Sequence, residues 1–241
     1  MIRYLNQIFT AWVISYGEYL KGFSFKMYQP KGDVITNRAV IIYYHAGGGT
    51  IEDGETWCTD FVKMGYVTVS AEYKKTVGQF TEELQKQAVI NTWNLIKYLS
   101  DNAAKYGIDK NRIFQMGTSA GAITALQSGI ALNDRENPYF KGAFPAEIAI
   151  ATLGTASLSG SANPKFQALI NPGDPPNSFY NGEKDKTIPY STAVDTFNMM
   201  VKVGVPSKFM GFPTQGHKLK SHEIILPDLT NFFYNILYPK K

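Results

Sequence analysis

The chain is poor in the residues that staple small folds or build metal centres. Its 241 residues include one cysteine, Cys58, and three histidines, His45, His217 and His222. A lone thiol cannot close an internal disulfide, and no sulfur stands at a metal-ligand spacing. Disulfide scaffolds and cysteine–zinc modules are therefore excluded, and no metal or cofactor is expected. Charge of one sign is also scarce. Twenty-four basic against 20 acidic residues leave a formal net charge of +4, spread along the chain, with Lys240-Lys241 as the one basic cluster. Nucleic acid is not an expected partner. No apolar run approaches the length of a membrane span. The stretch Met1–Ser15 carries Arg3 and is interrupted by Asn6, Gln7 and Thr10. No signal peptide is evident, as expected of a cytoplasmic protein or of a secreted one whose leader lies outside this chain.

What is present is an alternation of strand-like and helix-like segments, with a length that suits one α/β domain over residues 1–241. Strands are expected near 16–20, 23–28, 39–44, 66–72, 112–116, 146–153, 178–181 and 207–212, and helices over 57–64, 81–103, 120–132, 192–203 and 224–237. Ala39–Tyr44 is continuously apolar, as a strand buried on both faces must be, and runs into His45-Ala46-Gly47-Gly48-Gly49. Thr81 is placed to cap the longest helix, with Glu82 and Glu83 in its first turn, and Gly107 to end it. Pro227 is expected in the first turn of the last helix, where its missing N–H costs nothing. The segment 154–177, rich in Gly, Ser, Asn and Pro, is long for a connection and is expected to border a pocket.

The organising stretch is Arg112–Gly129. Gly117-Thr118-Ser119-Ala120-Gly121 falls where strand becomes helix. In a G-x-S-x-G turn the serine is held in a strained backbone conformation, and the flanking small residues let strand and helix pass closely. The hydroxyl then stands clear of the sheet at the positive end of the following helix.

Such a hydroxyl is a weak nucleophile until a base takes its proton, and the base needs a third group to orient it. His217 follows Gly216 in a loop directly after a strand and is favoured as the base over His222, which opens a helix. Asp185, just past another strand, is favoured as the acid over Asp174 and Glu183. The chain order Ser119, Asp185, His217 is that of α/β-hydrolases. The anion formed on attack needs donors already aimed at it, and the amides of Gly47, Gly48 and Ala120 are the candidates. His45 is expected to shape this glycine loop by hydrogen bonding.

The sequence H-A-G-G-G at 45–49, Glu72-Tyr73-Lys74, Tyr106-Gly107-Ile108-Asp109-Lys110-Asn111-Arg112-Ile113 leading into the elbow, Asn181-Gly182-Glu183-Lys184-Asp185 followed by Ile188-Pro189, and Gly216-His217 together resemble the α/β-hydrolase superfamily. The likeness spans about residues 16–238 and is greatest to carboxylesterases of the acetyl-esterase, hormone-sensitive-lipase and feruloyl-esterase-like branch. It implies a mostly parallel central sheet of about eight strands flanked by helices. Ser119 would be nucleophile, Asp185 acid and His217 base, with oxyanion amides from Gly47, Gly48 and Ala120. Thr118, Ala122 and Ala46 depart from the G-D-S-A-G-G and H-G-G-G of hormone-sensitive-lipase relatives. The third strand begins too early for that subgroup's large cap, so an open, shallow site is implied. The expected activity is hydrolysis of short-chain acyl esters of a small-molecule substrate, with carbohydrate-linked acetyl or feruloyl esters as candidates. A prolyl-oligopeptidase-like peptidase and a catalytically silent ligand-binding relative are the alternatives.

Overall fold

Alternate residues of the central strands feed two different helical layers, and this divides the interior. The computed structural model describes residues 8–75 and 78–239. Lys240-Lys241 and the first seven residues of the amino-terminal stretch lie outside them. The strands are β1 (Trp12–Leu20), β2 (Phe23–Pro30), β3 (Arg38–Tyr44), β4 (Val67–Ala71), β5 (Ile108–Thr118), β6 (Gly154–Leu158), β7 (Asn177–Gly182) and β8 (Lys208–Phe212). They form one sheet in the order β1-β2-β4-β3-β5-β6-β7-β8. β1 and β2 are antiparallel additions at one edge, and the pairs from β4 to β8 are parallel.

On β3, Val40, Ile42 and Tyr44 enter a core shared with Leu95, Ile96 and Leu99, whereas Ile41 and Tyr43 enter one shared with Phe61, Val62, Leu229 and Phe233. The period-two geometry of a strand thus explains its unbroken apolar sequence. The helices are α1 (Glu55–Lys63), α2 (Glu82–Asp101), the short α3 (Ala103–Tyr106), α4 (Ala120–Ile130), the short α5 (Pro164–Gln167), α6 (Tyr190–Lys202) and α7 (His222–Leu237). A third cluster joins Val89 and Trp93 of α2 to Leu126 and Ile130 of α4, and to Phe179 of β7 and Met200 of α6. Helices thus cover both faces of the sheet. Thr81 caps α2 by accepting from the Leu84 amide, and Gly107 takes the left-handed conformation (φ 62°) that ends α3.

Two expectations are corrected. Residues 146–153 are not a strand; the sixth strand is β6, one step later. Its five residues, Gly-Thr-Ala-Ser-Leu, are all buried, and it lies between β5 and β7. A Cβ on Gly154 would come within 2.9 Å of Ile236 Cδ1, so α7 packs closely on the start of this strand, whose small residues lack the branching that usually marks one. α7 begins two residues before the expected start. Pro227 therefore falls in its second turn, where the amide that would bond the Glu223 carbonyl is lacking. Among the described residues, the longest excursion between elements is 134–153, and no cap is inserted.

Candidate active site

The parallel strands end on one edge, and the glycine loop, Ser119, Asp185 and His217 all follow strands at that edge. β3 leads into His45–Gly49, β5 into Ser119, β7 into Asp185 and β8 into His217.

Ser119 has φ 56° and ψ −119°, a region an L-residue enters only when its surroundings enforce it. Those surroundings are backbone. A Cβ on Gly121 would press into the carbonyls of Tyr44 and His45, and one on Gly117 into the Gly121 main chain and Tyr44 O, all closer than 3.0 Å. Glycine at both positions lets β3, β5 and α4 meet. The Ser119 amide donates to Leu158 O (2.9 Å), so the turn is tied to β6 as well.

His217 Nε2 lies 2.8 Å from Ser119 Oγ, and its Nδ1 2.8 Å from Asp185 Oδ2. The carboxylate can only accept, so Nδ1 carries the proton and Nε2 offers a lone pair to the serine hydroxyl. The other carboxylate oxygen of Asp185 accepts from the amides of Thr187 (2.8 Å) and Ile188 (3.0 Å). With its side chain fully buried, the aspartate is satisfied on both oxygens and fixed in direction. The His217 loop is held close to β7. A Cβ on Gly182 would collide with the Gln215 and Gly216 carbonyls, and the Lys184 amide donates to Gln215 O (2.9 Å).

The glycine loop is pinned at both ends. Gly49 N donates to Ala46 O (2.8 Å), and Thr50 forms a reciprocal capping box with Asp53. His45 is fully buried and donates from Nδ1 to Ala46 O (2.7 Å), while Tyr73 Oη donates to His45 O (2.6 Å). Burial pushes the His45 imidazole below its usual range, which keeps it neutral and structural. Gly47 and Ala120 line the same hollow of about 350 Å³ as Ser119, along with Gln79, Phe80 and Ile188. Gly48 stands one residue further along the turn. The hollow shares Ile123, Thr187 and Ile188 with a second of about 350 Å³, lined by Ser161, Asn163, Gln167, Thr192 and Asp195. The segment after β6 therefore walls a pocket, as expected. On the α1/α7 side, Trp57, Leu158, Leu219, His222 and Ile225 enclose about 130 Å³ beside Thr118.

The competing residues lie elsewhere. His222 pairs with Asp60 (2.8 Å) against Trp57, Glu183 is exposed, and Asp174 is buried before the opposite end of β7. Sequence reading passed over Ser159, Gln79, Phe80 and the Thr187–Ile188 amides. Only the last had a readable signal, an aspartate two residues before a turn amide. Among the described residues no group of three or more His, Cys, Asp or Glu is arranged to hold a metal ion, and no helix is long and apolar enough to cross a membrane.

Comparison with known proteins agrees with this architecture. Esterase 2 of Thermogutta terrifontis superposes in its native form with a TM-score of 0.74 at 19% identity, covering 94% of each chain. Its apo form gives 0.78 at 17% identity, covering 95% of this chain and 96% of that one. The form phosphoramylated by tabun gives 0.77 at 19% identity over 94% and 97%. The probable dipeptidyl-peptidase 5 of Aspergillus terreus is 25% identical over 236 residues, covering 86% of this chain. The chain spans about a third of that relative's length, 32%. The BD-FAE family model matches residues 25–156, more than half of the chain. The chain belongs to the BD-FAE family of α/β-hydrolase-type esterases.

Proposed function

We propose that the protein is a serine esterase that hydrolyses carboxylic esters through an acyl-enzyme, with Ser119 as nucleophile, His217 as general base and acid, and Asp185 as the orienting carboxylate. The observation that carries this reading is the unbroken chain of two 2.8 Å contacts from Asp185 through His217 to Ser119 Oγ. Ser119 Oγ attacks the ester carbonyl while its proton passes to His217 Nε2. The negative charge on the carbonyl oxygen is met by the amides of Gly47, Gly48 and Ala120, donors that need no reorganisation. The imidazolium then protonates the departing alcohol. Water, deprotonated by the same nitrogen, cleaves the acyl-enzyme and restores the serine.

The surroundings support a polar alcohol. Hydroxyl and amide side chains at Ser161, Asn163, Gln167 and Thr192 suit a sugar's hydroxyl groups, which favours carbohydrate-linked acetyl or feruloyl esters. The likeness to a probable dipeptidyl-peptidase favours one second reading, peptide cleavage by the same three residues.

Turnover of an aryl acetate and of a dipeptidyl anilide, before and after treatment with a serine-directed phosphonate, tests both readings. We expect ester turnover to exceed peptide turnover and to vanish on labelling. In Ser119→Ala the ester rate is expected to fall at least about 10⁴-fold. Ester hydrolysis that persists in that variant overturns the mechanism, and faster peptide cleavage selects the peptidase.

A further inference from the structure

Among the described residues only two non-glycine residues have positive φ, Ser119 at 56° and Ser159 at 57°. They are neighbours across the sheet. Thr118 of β5 pairs with Leu158 of β6, so each serine is the first residue beyond its strand. The Ser119 amide donates to Leu158 O (2.9 Å) and the Ser159 amide to Tyr180 O (2.8 Å), which carries the ladder from β5 across to β7. The strain at Ser119 has a use in the mechanism. The strain at Ser159 is unaccounted for, since glycine would adopt that conformation freely.

The Ser159 side chain supplies a reason. Ser159 is fully buried, and its hydroxyl donates to the main-chain carbonyl of His217 at 2.8 Å. The loop before His217 is anchored by Lys184 N to Gln215 O. The loop after it is anchored by the Gln215 side chain, which donates to Ser221 Oγ (2.6 Å) and accepts from Lys220 N (2.7 Å). At residue 217 itself the Ser159 hydroxyl grips the peptide from which the imidazole projects. Glycine would relieve the backbone and release that grip.

We infer that Ser159 is a positioning residue, whose hydroxyl sets the main chain of His217 so that Nε2 meets Ser119 Oγ in a reactive geometry. The inference rests on the proposed role of His217 as base. Displacing a general base by a fraction of an ångström slows the chemical step while leaving substrate binding largely intact.

The test compares Ser159→Gly, Ser159→Ala and His217→Ala on an aryl acetate, with kcat, KM and Tm measured for each. We expect both Ser159 variants to lose kcat about tenfold or more, with KM within about threefold of wild type. Ser159→Gly, free of the strain, should melt no lower than Ser159→Ala. Wild-type kcat in Ser159→Gly overturns the inference. So does a kcat that recovers from alanine to glycine in step with Tm, because the conformation and not the hydroxyl would then be what matters. Failure of both variants to fold assigns the hydroxyl to folding and equally overturns it. His217→Ala separates the two levels. Turnover surviving there removes the reading of the site and this inference with it, whereas activity lost in His217→Ala but kept in the Ser159 variants sinks this inference alone.

Discussion

Two histidine–aspartate pairs stand close together in this molecule, five positions apart along the chain in their histidines, and each closes at 2.8 Å. They differ in everything else. His217 bonds its aspartate through Nδ1 and turns Nε2 to a serine hydroxyl, whereas His222 spends Nε2 on Asp60. The Asp185 side chain is fully buried and receives two backbone amides. Asp60 is partly exposed and shared with Lys63 at 3.2 Å. A hydrogen-bonded imidazole and carboxylate are thus not in themselves a proton relay. A relay also needs a dry, fully satisfied acid on one side of the ring and a hydroxyl that donates to the free ring nitrogen on the other. His222 is instead part of a partly exposed hydrogen-bonded pair whose ring lies tilted against Trp57, with ring centroids 4.2 Å apart.

The sharpest way to break this comparison is to remove the charge from each aspartate in turn. Asp185→Asn is expected to lower kcat for an aryl ester by about 10³–10⁴-fold, because an amide can donate to Nδ1 and so stabilise the wrong tautomer. Asp60→Asn should leave kcat within about twofold. Steady-state kinetics of the two variants decide the matter. Comparable losses in both would show that the pairs are not functionally distinct.

The legibility of the two regions differs for physical reasons. The elbow could be read from sequence because Gly117 and Gly121 are dictated by the Tyr44 carbonyl, and a backbone clash leaves a fixed residue type behind. The choice of His217 over His222 followed from chain position, the one in a loop after a strand and the other opening a helix, and the structure brings the former to Ser119. β6 was misplaced because full burial between close-packed neighbours selects Gly, Ala and Ser, the residues that elsewhere signal turns. Ser159 was invisible because a left-handed serine has the same letter as any other. Its partner, His217, is 58 positions away. The Asp60–His222 contact spans 162 positions and has no local signature at all.

A third aspartate sharpens the contrast by its different fate. Asp174 precedes β7 as Asp185 follows it, and both are buried, but one oxygen of Asp174 has no partner while the other accepts from the Asn171 amide (3.0 Å). Burial first, with the charge of Asp134 adding to it, pushes its carboxyl up to about 7. A carboxyl whose folded value lies above its unfolded value of about 3.9 contributes stability that is fully present below that value and lost as pH rises through 7. Asp174→Asn is therefore expected to stabilise the fold at pH 8 by on the order of 1–3 kcal/mol relative to its effect at pH 4, with activity little changed. Chemical denaturation at the two pH values measures this. A stabilisation independent of pH would mean that folding does not raise the Asp174 carboxyl, and would overturn this account.

The smallest effect is expected at the second pair itself. A histidine–aspartate contact with about a third of its histidine side chain exposed contributes no more than about 1 kcal/mol, since water and salt screen it and ordering both side chains costs entropy. His222→Ala also removes the ring that Trp57 packs against, at the first residue of α7, where fraying is local. We expect the variant to lose about 0.5–1.5 kcal/mol in denaturant melts, through the aromatic contact more than through charge. Its kcat for a small aryl acetate should stay within about twofold of wild type. Because Trp57 and His222 also wall the 130 Å³ cavity beside Thr118, KM for esters of bulkier acids is the quantity that should move, and a change in kcat for the acetate instead would tie this pair to the relay after all.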